Sequence, residues 1–493
     1  MPQTKIVLFF FLVSQAFAAS AAPTEQDCFN AYKLSNHERA VEPGIIVSAT
    51  DGVPEHCAVR GVINRAIRFE VRLPTKDWSG RFLMEGTGGA SGFIADTTRE
   101  LHRGFAVAST DTGHEGQDPT YAMQPEAALD YAFRGVHLAT LTAKDVTRAF
   151  YDQEVDHAYY RGCSNGGRQG LIEATRYPDD FDGIVVGAPA IQVIREFLLW
   201  SLNVHRAQEA NPLTEAHLSL LDQTSSAACD SLDGVNDGVI NDPRECTLEH
   251  YDPTSLLCSD DTQGTCLTEG QLETVMTHLR GVVDAGGNVI SPGLLPGAEG
   301  AGDWRTWGLP GMPMPITGEA LDGTLNEVVT EMLKTWVYRD LNYDPNEFDM
   351  LNDRADLERA SAIVDVNTAD LSEFSGHGGK ILMYQGWNDY PLRAQRAIEY
   401  LHKVEAESGG VSKTKDFFRL FMIPGMTHCG RGPGAWVTDY IDPLVQWVEE
   451  NKAPDTIIGS RPDGAFSRPQ CVYPKLAQYD KGPEDQASSY VCK

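Results

Sequence analysis

Residues 157–170 read HAYYRGCSNGGRQG, and the fold turns on how this stretch is divided. His157 to Arg161 is a short, aromatic-rich run that reads as a strand, and from Gly167 onward the sequence reads as a helix. Between them lies Gly162-Cys163-Ser164-Asn165-Gly166, a G-x-S-x-G pattern. Such a pattern arises by chance in roughly one chain in six of this length, so its placement decides more than its letters. At the end of a strand and the start of a helix it is the setting of a nucleophile elbow. A strained turn there lifts a serine hydroxyl out of the sheet, and glycines on either side let neighbouring backbone pass closely.

Working outward, a strand at Gly183 to Val186 follows the helix, and strand, helix, strand in succession predicts a parallel sheet with right-handed crossovers. Upstream, AIRFEVRL (66–73), RFLMEG (81–86) and GFAVAST (104–110) read as strands, the first two antiparallel. Leu129, Phe133, Val136, Ala139, Ala143, Val146 and Phe150 recur at helical spacing, which predicts a helix over 127–151. The βα rhythm breaks from about Ile194 to Ser375, a stretch rich in Gly, Pro and Asp that holds four of the cysteines. It resumes with KILMYQGWND (380–389), a helix near Ala394 to Ala406, the strand RLFMIPG (419–425) and a helix around Pro443 to Asn451. The expectation is an α/β-hydrolase core over 19–193 and 376–493, with 194–375 inserted as a lid.

A serine at neutral pH is a poor nucleophile and needs a base, itself oriented by a carboxylate. In this fold those partners follow in the order acid, then histidine, each in a loop after a sheet strand. The strand ILMYQG leads into Asp389 and the strand LFMIPG leads into His428. Singly, Asp389 reads equally as a turn carboxylate and His428 as a surface imidazole; together with Ser164 they make three strand-end coincidences. The oxyanion of an acyl-transfer intermediate needs N–H donors, for which Asn165 and the run Glu85-Gly86-Thr87-Gly88-Gly89, with Gly88 and Gly89 foremost, are the candidates. That glycine run also reads as a plain turn.

The ends and the bulk composition set the surroundings. Lys5, the apolar run Ile6 to Val13 and Ala16-Phe17-Ala18 read as a cleavable export signal over 1–18, with a second cleavage choice after Ala22. Roughly eight apolar residues are too few to span a bilayer. Seventy acidic against 40 basic side chains give a net charge of −30, which repels nucleic acid and anionic membrane. The ten cysteines form an even set, the disulfide signature of a secreted or periplasmic chain, and no pair has zinc spacing. Cys163 precedes Ser164 and Cys429 follows His428, so a bond between them would clamp nucleophile to base across a loop of roughly 270 residues, an effect of up to about 5 kcal/mol. In the insertion, Asp230, Asp233 and Asp237 crowd one glycine-broken loop, where a hard cation such as Ca²⁺ would neutralise them; a solvated acidic turn is the alternative.

The stretch GCSNGGRQG with the strand-end Asp389 and the His428-Cys429 pair resembles the tannase and feruloyl esterase family, which also contains the mono(hydroxyethyl) terephthalate hydrolase. The resemblance extends to STDTGHEG (109–116), PDDFDGIVVGAPA (178–190) and CDSLDGVNDGVINDPREC (229–246). It implies hydrolysis of esters of aromatic acids, feruloyl esters first, by a Ser164–His428–Asp389 triad under a lid. Galloyl esters or a terephthalate monoester are the alternative substrates, free or carbohydrate-linked. It also implies structural calcium on the carboxylates of Asp230, Asp233 and Asp237 and the carbonyls of Val235 and Val239. The disulfides it implies are Cys163–Cys429, Cys28–Cys57, Cys229–Cys246, Cys258–Cys266 and Cys471–Cys492. Trp304, Trp307, Trp336, Tyr338 and Tyr343 are the lid aromatics available to stack on an acyl ring, and Arg339 is a candidate partner for a substrate carboxylate or for a lid salt bridge. A hydrolase fold retained as a binding protein is the rival reading, opposed by the complete triad.

Overall fold

Successive side chains of a strand point to opposite faces, so a sheet covered on both sides must be apolar at every position. The central strands of the computed structural model follow that rule. It describes residues 22–259, 266–284, 286–309, 315–316, 319–320, 325–350 and 352–493; the export signal expected over 1–18 lies outside these. The sheet has ten strands: β1 (Arg39–Val41), β2 (Ile45–Val47), β3 (His56–Ile63), β4 (Ile67–Pro74), β5 (Arg81–Glu85), β6 (Ala106–Thr110), β7 (His157–Cys163), β8 (Gly183–Gly187), β9 (Lys380–Gly386) and β10 (Phe418–Ile423). Their order is β1-β3-β4-β6-β5-β7-β8-β9-β10, with β2 also on β3. From β6 to β10 the pairing is parallel, and the β1 to β4 edge is antiparallel.

The expected neighbours β4 and β5 run antiparallel but do not touch, because β6 lies between them. All five residues of β6 are buried, as a central strand requires, whereas a pattern of alternation carries no information on which strand sits next to which. Phe82, Met84, Ala106, Ala108, Ala158, Tyr160, Ile381 and Met383 face one core; Leu83, Val107, Tyr159 and Leu382, one residue out of step, face the other. The helices α1 (Gly135–Tyr151), α2 (Asn165–Arg176), α3 (Leu199–Ala210), α4 (Glu215–Cys229), α5 (Glu269–Arg280), α6 (Arg354–Val364), α7 (Ala394–Glu407) and α8 (Ile441–Glu450) divide three ways. Through Val136, Leu171 and Ala397 among others, α1, α2 and α7 cover the first face; through Leu444 and Trp447, α8 covers the second. The helices α3 to α6 belong to the chain between β8 and β9, which builds its own apolar cluster around Trp200, Leu221, Trp304 and Leu333.

The helix expected over 127–151 is interrupted. A single π-helical stretch, Asp130–Arg134, precedes α1, and the N–H of Gly135 reaches back to the carbonyl of Asp130. Five disulfides join Cys28 to Cys57, Cys163 to Cys429, Cys229 to Cys246, Cys258 to Cys266 and Cys471 to Cys492. Among the described residues no helix is long and apolar enough to cross a membrane.

Candidate active site

The turn from β7 into α2 is built by exclusion. A Cβ on Gly162 would lie 2.5 Å from the backbone of Gly166, and one on Gly167 would lie 2.4 Å from the carbonyl oxygen of Gly187. With that space held open, Ser164 adopts φ 63° and ψ −123°, a left-handed conformation costing of order 1–3 kcal/mol. Its N–H donates to the Gly187 carbonyl at 3.0 Å and its carbonyl accepts from Ala190 at 3.1 Å, which hold the turn.

Two further loops reach this serine. After β9, the Asp389 carboxylate accepts from the N–H of Leu392 at 2.8 Å and from Gln385 Nε2 at 3.0 Å. After β10, His428 Nδ1 lies 2.9 Å from Asp389 Oδ2 and its Nε2 lies 3.0 Å from Ser164 Oγ. An ionised carboxylate only accepts, so Nδ1 carries the proton and Nε2 is free to accept the serine hydroxyl. The loops are also tied to each other, since the N–H of Asn388 donates to the Met426 carbonyl at 3.1 Å and the Cys163–Cys429 disulfide spans the far side.

Burial alone would lower the His428 pKa. The charge and hydrogen bond of Asp389, with the charge of Asp303, outweigh burial and raise it, against the opposing charge of Arg393. Two cavities meet at Ser164, His428 and Trp307: one of about 100 Å³ with apolar walls that include Tyr121, Tyr131 and Trp336, and a more polar one of about 520 Å³ that includes Glu85, Asp96 and Asp303.

The family model described as tannase and feruloyl esterase matches residues 52–493. A probable feruloyl esterase B-1 of Aspergillus terreus is 31% identical over 441 residues, 83% of this chain and 79% of that one. The chain belongs to the tannase and feruloyl esterase family. It is a carboxylic ester hydrolase, and the mono(2-hydroxyethyl) terephthalate hydrolase of Piscinibacter sakaiensis is a relative at 29% identity over 89% of this chain and 85% of that one. The crystal structure of feruloyl esterase B from Aspergillus oryzae superposes with a TM-score of 0.82 at 28% identity, over 95% of this chain and 100% of that one.

Within this family member the aromatics named from the sequence between β8 and β9 separate. Trp307 and Trp336 line the apolar cavity. Trp304 instead stacks on His278 with ring centroids 4.7 Å apart, Tyr338 stacks on Tyr343 at 3.8 Å, and Arg339 donates to the Met123 carbonyl at 2.9 Å. Apolar type alone does not say which face of an irregular segment a ring takes. Backbone geometry does: each of the four π-helical stretches among the described residues sends a side chain into this cavity. These are Tyr131 from 130–134, Ile194 and Phe197 from 193–198, Trp307 from 304–308 and Trp336 from 333–337. A π turn inserts one residue and rotates the next turn of the helix, a distortion that recurs at functional sites.

Two more residues escaped sequence reading. Asp303 is 2% exposed; its Oδ2 accepts the backbone N–H of His428 at 2.8 Å, and burial, with the charge of Asp389, pushes its pKa up to about 6 against the pull of His428. Arg168, fully buried, donates to Asn165 Oδ1 at 2.7 Å and to the carbonyls of Tyr131, Ala132 and Val364. Asn165 in turn donates from Nδ2 to Ser91 Oγ at 2.5 Å and to the Thr87 carbonyl at 3.2 Å, so one guanidinium braces the elbow, the glycine run and the chain between β8 and β9. In that run the N–H groups of Thr87 and Ala90 are bonded to Gln169 and Gln117, which directs attention to Gly88 and Gly89 between them.

The acidic loop of the insertion is organised around its carboxylates. Asp230 accepts from the N–H of Gly238, Asp233 from Val235 and Asp237 from Val239, each at 3.0 Å, and Arg468 pairs with Asp237. Asp230 Oδ1 is buried with no hydrogen-bond partner. Burial first, then mutual repulsion, raises Asp233 to about 6 and also raises Asp230. An orphaned buried oxygen among repelling carboxylates suits a hard cation in chemistry, while the three carboxylates do not all come within 4.8 Å of one another.

Proposed function

We propose that this protein is an exported serine esterase that hydrolyses esters of aromatic acids, feruloyl and related hydroxycinnamoyl esters first. The observation that carries this reading is the series Asp389, His428, Ser164, with spacings of 2.9 and 3.0 Å, opening into a cavity walled by Tyr121, Tyr131 and Trp336. In the first half-reaction His428 Nε2 takes the hydroxyl proton as Ser164 Oγ attacks the ester carbonyl. Asp389 stabilises the imidazolium that forms. The oxyanion is met by the N–H of Asn165 and by Gly88 or Gly89, in a site where an N–H donor is worth about 3 kcal/mol of transition-state stabilisation. His428 then returns the proton to the departing alcohol, and water activated by the same imidazole hydrolyses the acyl-enzyme.

The planar acyl ring enters the apolar cavity, where aromatic edges and faces suit it, and the alcohol leaves through the larger polar cavity beside Asp96 and Asp303. Residues 194–375 act as the lid that supplies Trp307 and Trp336. The carboxylates of Asp230, Asp233 and Asp237, with the carbonyls of Val235 and Val239, would hold Ca²⁺; when bound, the ion neutralises the loop and has no part in the reaction. Export is supported by the N-terminal apolar run and the five disulfides.

Rates on methyl ferulate, methyl gallate and a terephthalate monoester, measured side by side, test the substrate. A kcat/KM on methyl ferulate at least tenfold above the other two is expected. Preference for gallate or for the terephthalate monoester would replace feruloyl by that acyl group, and hydrolysis undiminished in Ser164→Ala would refute the mechanism.

A further inference from the structure

Far from the serine, α1, α2 and the turn after α2 enclose a cluster that the reaction does not use. Among the described residues it is the one set of three His, Cys, Asp or Glu side chains whose ligand atoms all lie within 4.8 Å of one another: His137, Glu173 and Asp180. Glu173 lies nine residues beyond Ser164, so by helical rise it sits about 14 Å along α2 from the nucleophile.

The cluster is buried and incompletely satisfied. Glu173 is 1% exposed and Asp180 5% exposed. Glu173 Oε2 has no hydrogen-bond partner, although an unpaired buried carboxylate oxygen is among the most unfavourable groups a protein can hold. His137 Nδ1 stands 2.6 Å from Asp180 Oδ2, and the imidazole is fixed by stacking on Tyr177 at 3.7 Å and 6°. Around the cluster, Lys144 donates to the Asp180 carbonyl, Asp182 accepts from the N–H of Ala158 at 2.7 Å, and Asp179 faces His377 at 2.6 Å. Four carboxylates therefore face one ammonium and two imidazoles, His137 and the exposed His377. Burial, then the charge of Asp180 and a hydrogen bond shared with its carboxyl, raises the Glu173 pKa well above the usual carboxylate range, against the pull of Lys144.

One imidazole and two carboxylates within chelating distance are the ligand set of a borderline divalent ion; calcium, which takes oxygen donors only, is not matched by it. We propose that His137, Glu173 and Asp180 form a transition-metal site of the Zn²⁺ class, one that ties α1 to the far end of the helix that presents Ser164. Binding removes the proton between His137 Nδ1 and Asp180 Oδ2 and gives Glu173 Oε2 the partner it lacks. The partly exposed edge of His137 provides the entry path, its side chain being 21% exposed.

The rival occupant is a single proton shared by Glu173 and Asp180, and a titration separates the two. Metal-stripped protein is held in buffer with excess Ca²⁺, so that the Asp230–Asp237 loop is filled, and Zn²⁺ is added in a calorimeter, with bound metal counted after gel filtration. The proposal expects one equivalent in the wild type, none in its place in His137→Ala, at least tenfold weaker binding in Glu173→Gln, and an upward shift of the wild-type melting temperature by Zn²⁺ that His137→Ala lacks. Equal Zn²⁺ binding by wild type and His137→Ala, or no binding by the wild type, would overturn it in favour of the shared proton. His137 is partly exposed, so the comparison stands even if Glu173→Gln does not fold.

Discussion

Replacing both Cys163 and Cys429 by alanine separates two effects of one bond. The disulfide closes a sequence separation of 266 residues, for which the chain-entropy relation assigns about 5 kcal/mol to the restriction of the unfolded chain. An unfolding entropy of about 2.1 cal/mol/K per residue, over 493 residues, is close to 1 kcal/mol/K, so the melting temperature should fall by about 5 °C. The catalytic effect should be smaller than complete loss. His428 keeps its Nδ1 bond to Asp389 at 2.9 Å and its backbone bond to Asp303 at 2.8 Å, charge-assisted contacts worth about 1.5–3 kcal/mol each. The imidazole therefore stays near Ser164 but loses its limit on distance, and a displacement on the order of 1 Å lowers turnover by about 100-fold. Melting curves and kcat/KM on methyl ferulate for wild type and double variant read both quantities. A double variant melting within 1 °C of wild type (against the ~5 °C expected) with unchanged kcat/KM would refute the clamp.

Other perturbations test the remaining parts. Asp389→Asn preserves the shape of the acid but favours the wrong His428 tautomer, so kcat should fall by about 10⁴ with KM nearly unchanged; a loss under tenfold would remove Asp389 from its assigned role. Asp303→Asn deletes one of the charges that raise the His428 pKa. Because the base must be neutral to accept a proton, the acid limb of the kcat/KM profile should move to lower pH, and an unmoved limb would show that Asp303 does not act on the imidazole. In the calcium-free loop the folded pKa of Asp233 is about 6, above the unfolded value near 4. The folded state then binds more protons, and stability falls as pH rises from about 4 to 6 and stays low above it. Chelation should therefore lower the melting temperature at pH 7 more than at pH 4.5, and an equal effect at both would argue against Asp233 as a ligand.

The order of the central elements was legible along the chain because each is signalled locally. A turn that tolerates no Cβ must carry glycine, so Gly162 and Gly167 mark the elbow in the sequence itself, and the apolar runs before Asp389 and His428 place both residues at strand ends. Other features are carried by convergence and leave no local mark. Asp303 reaches the backbone of His428 across 125 positions, and Arg168 joins carbonyls of residues 131 and 364. The insertion of β6 between β4 and β5 is likewise a matter of pairing between strands. Whether an aspartate in a glycine-rich loop faces solvent or an imidazole depends on what the rest of the chain packs against it. The same holds for the aromatics: Trp304 and Trp307 are three residues apart, and a π turn in the tertiary structure sends one against His278 and the other to the cavity at Ser164. Sequence decides what is strained or apolar over a few residues, while only the folded chain decides which distant groups share a volume, because that choice is made by burial summed over contacts no local pattern records.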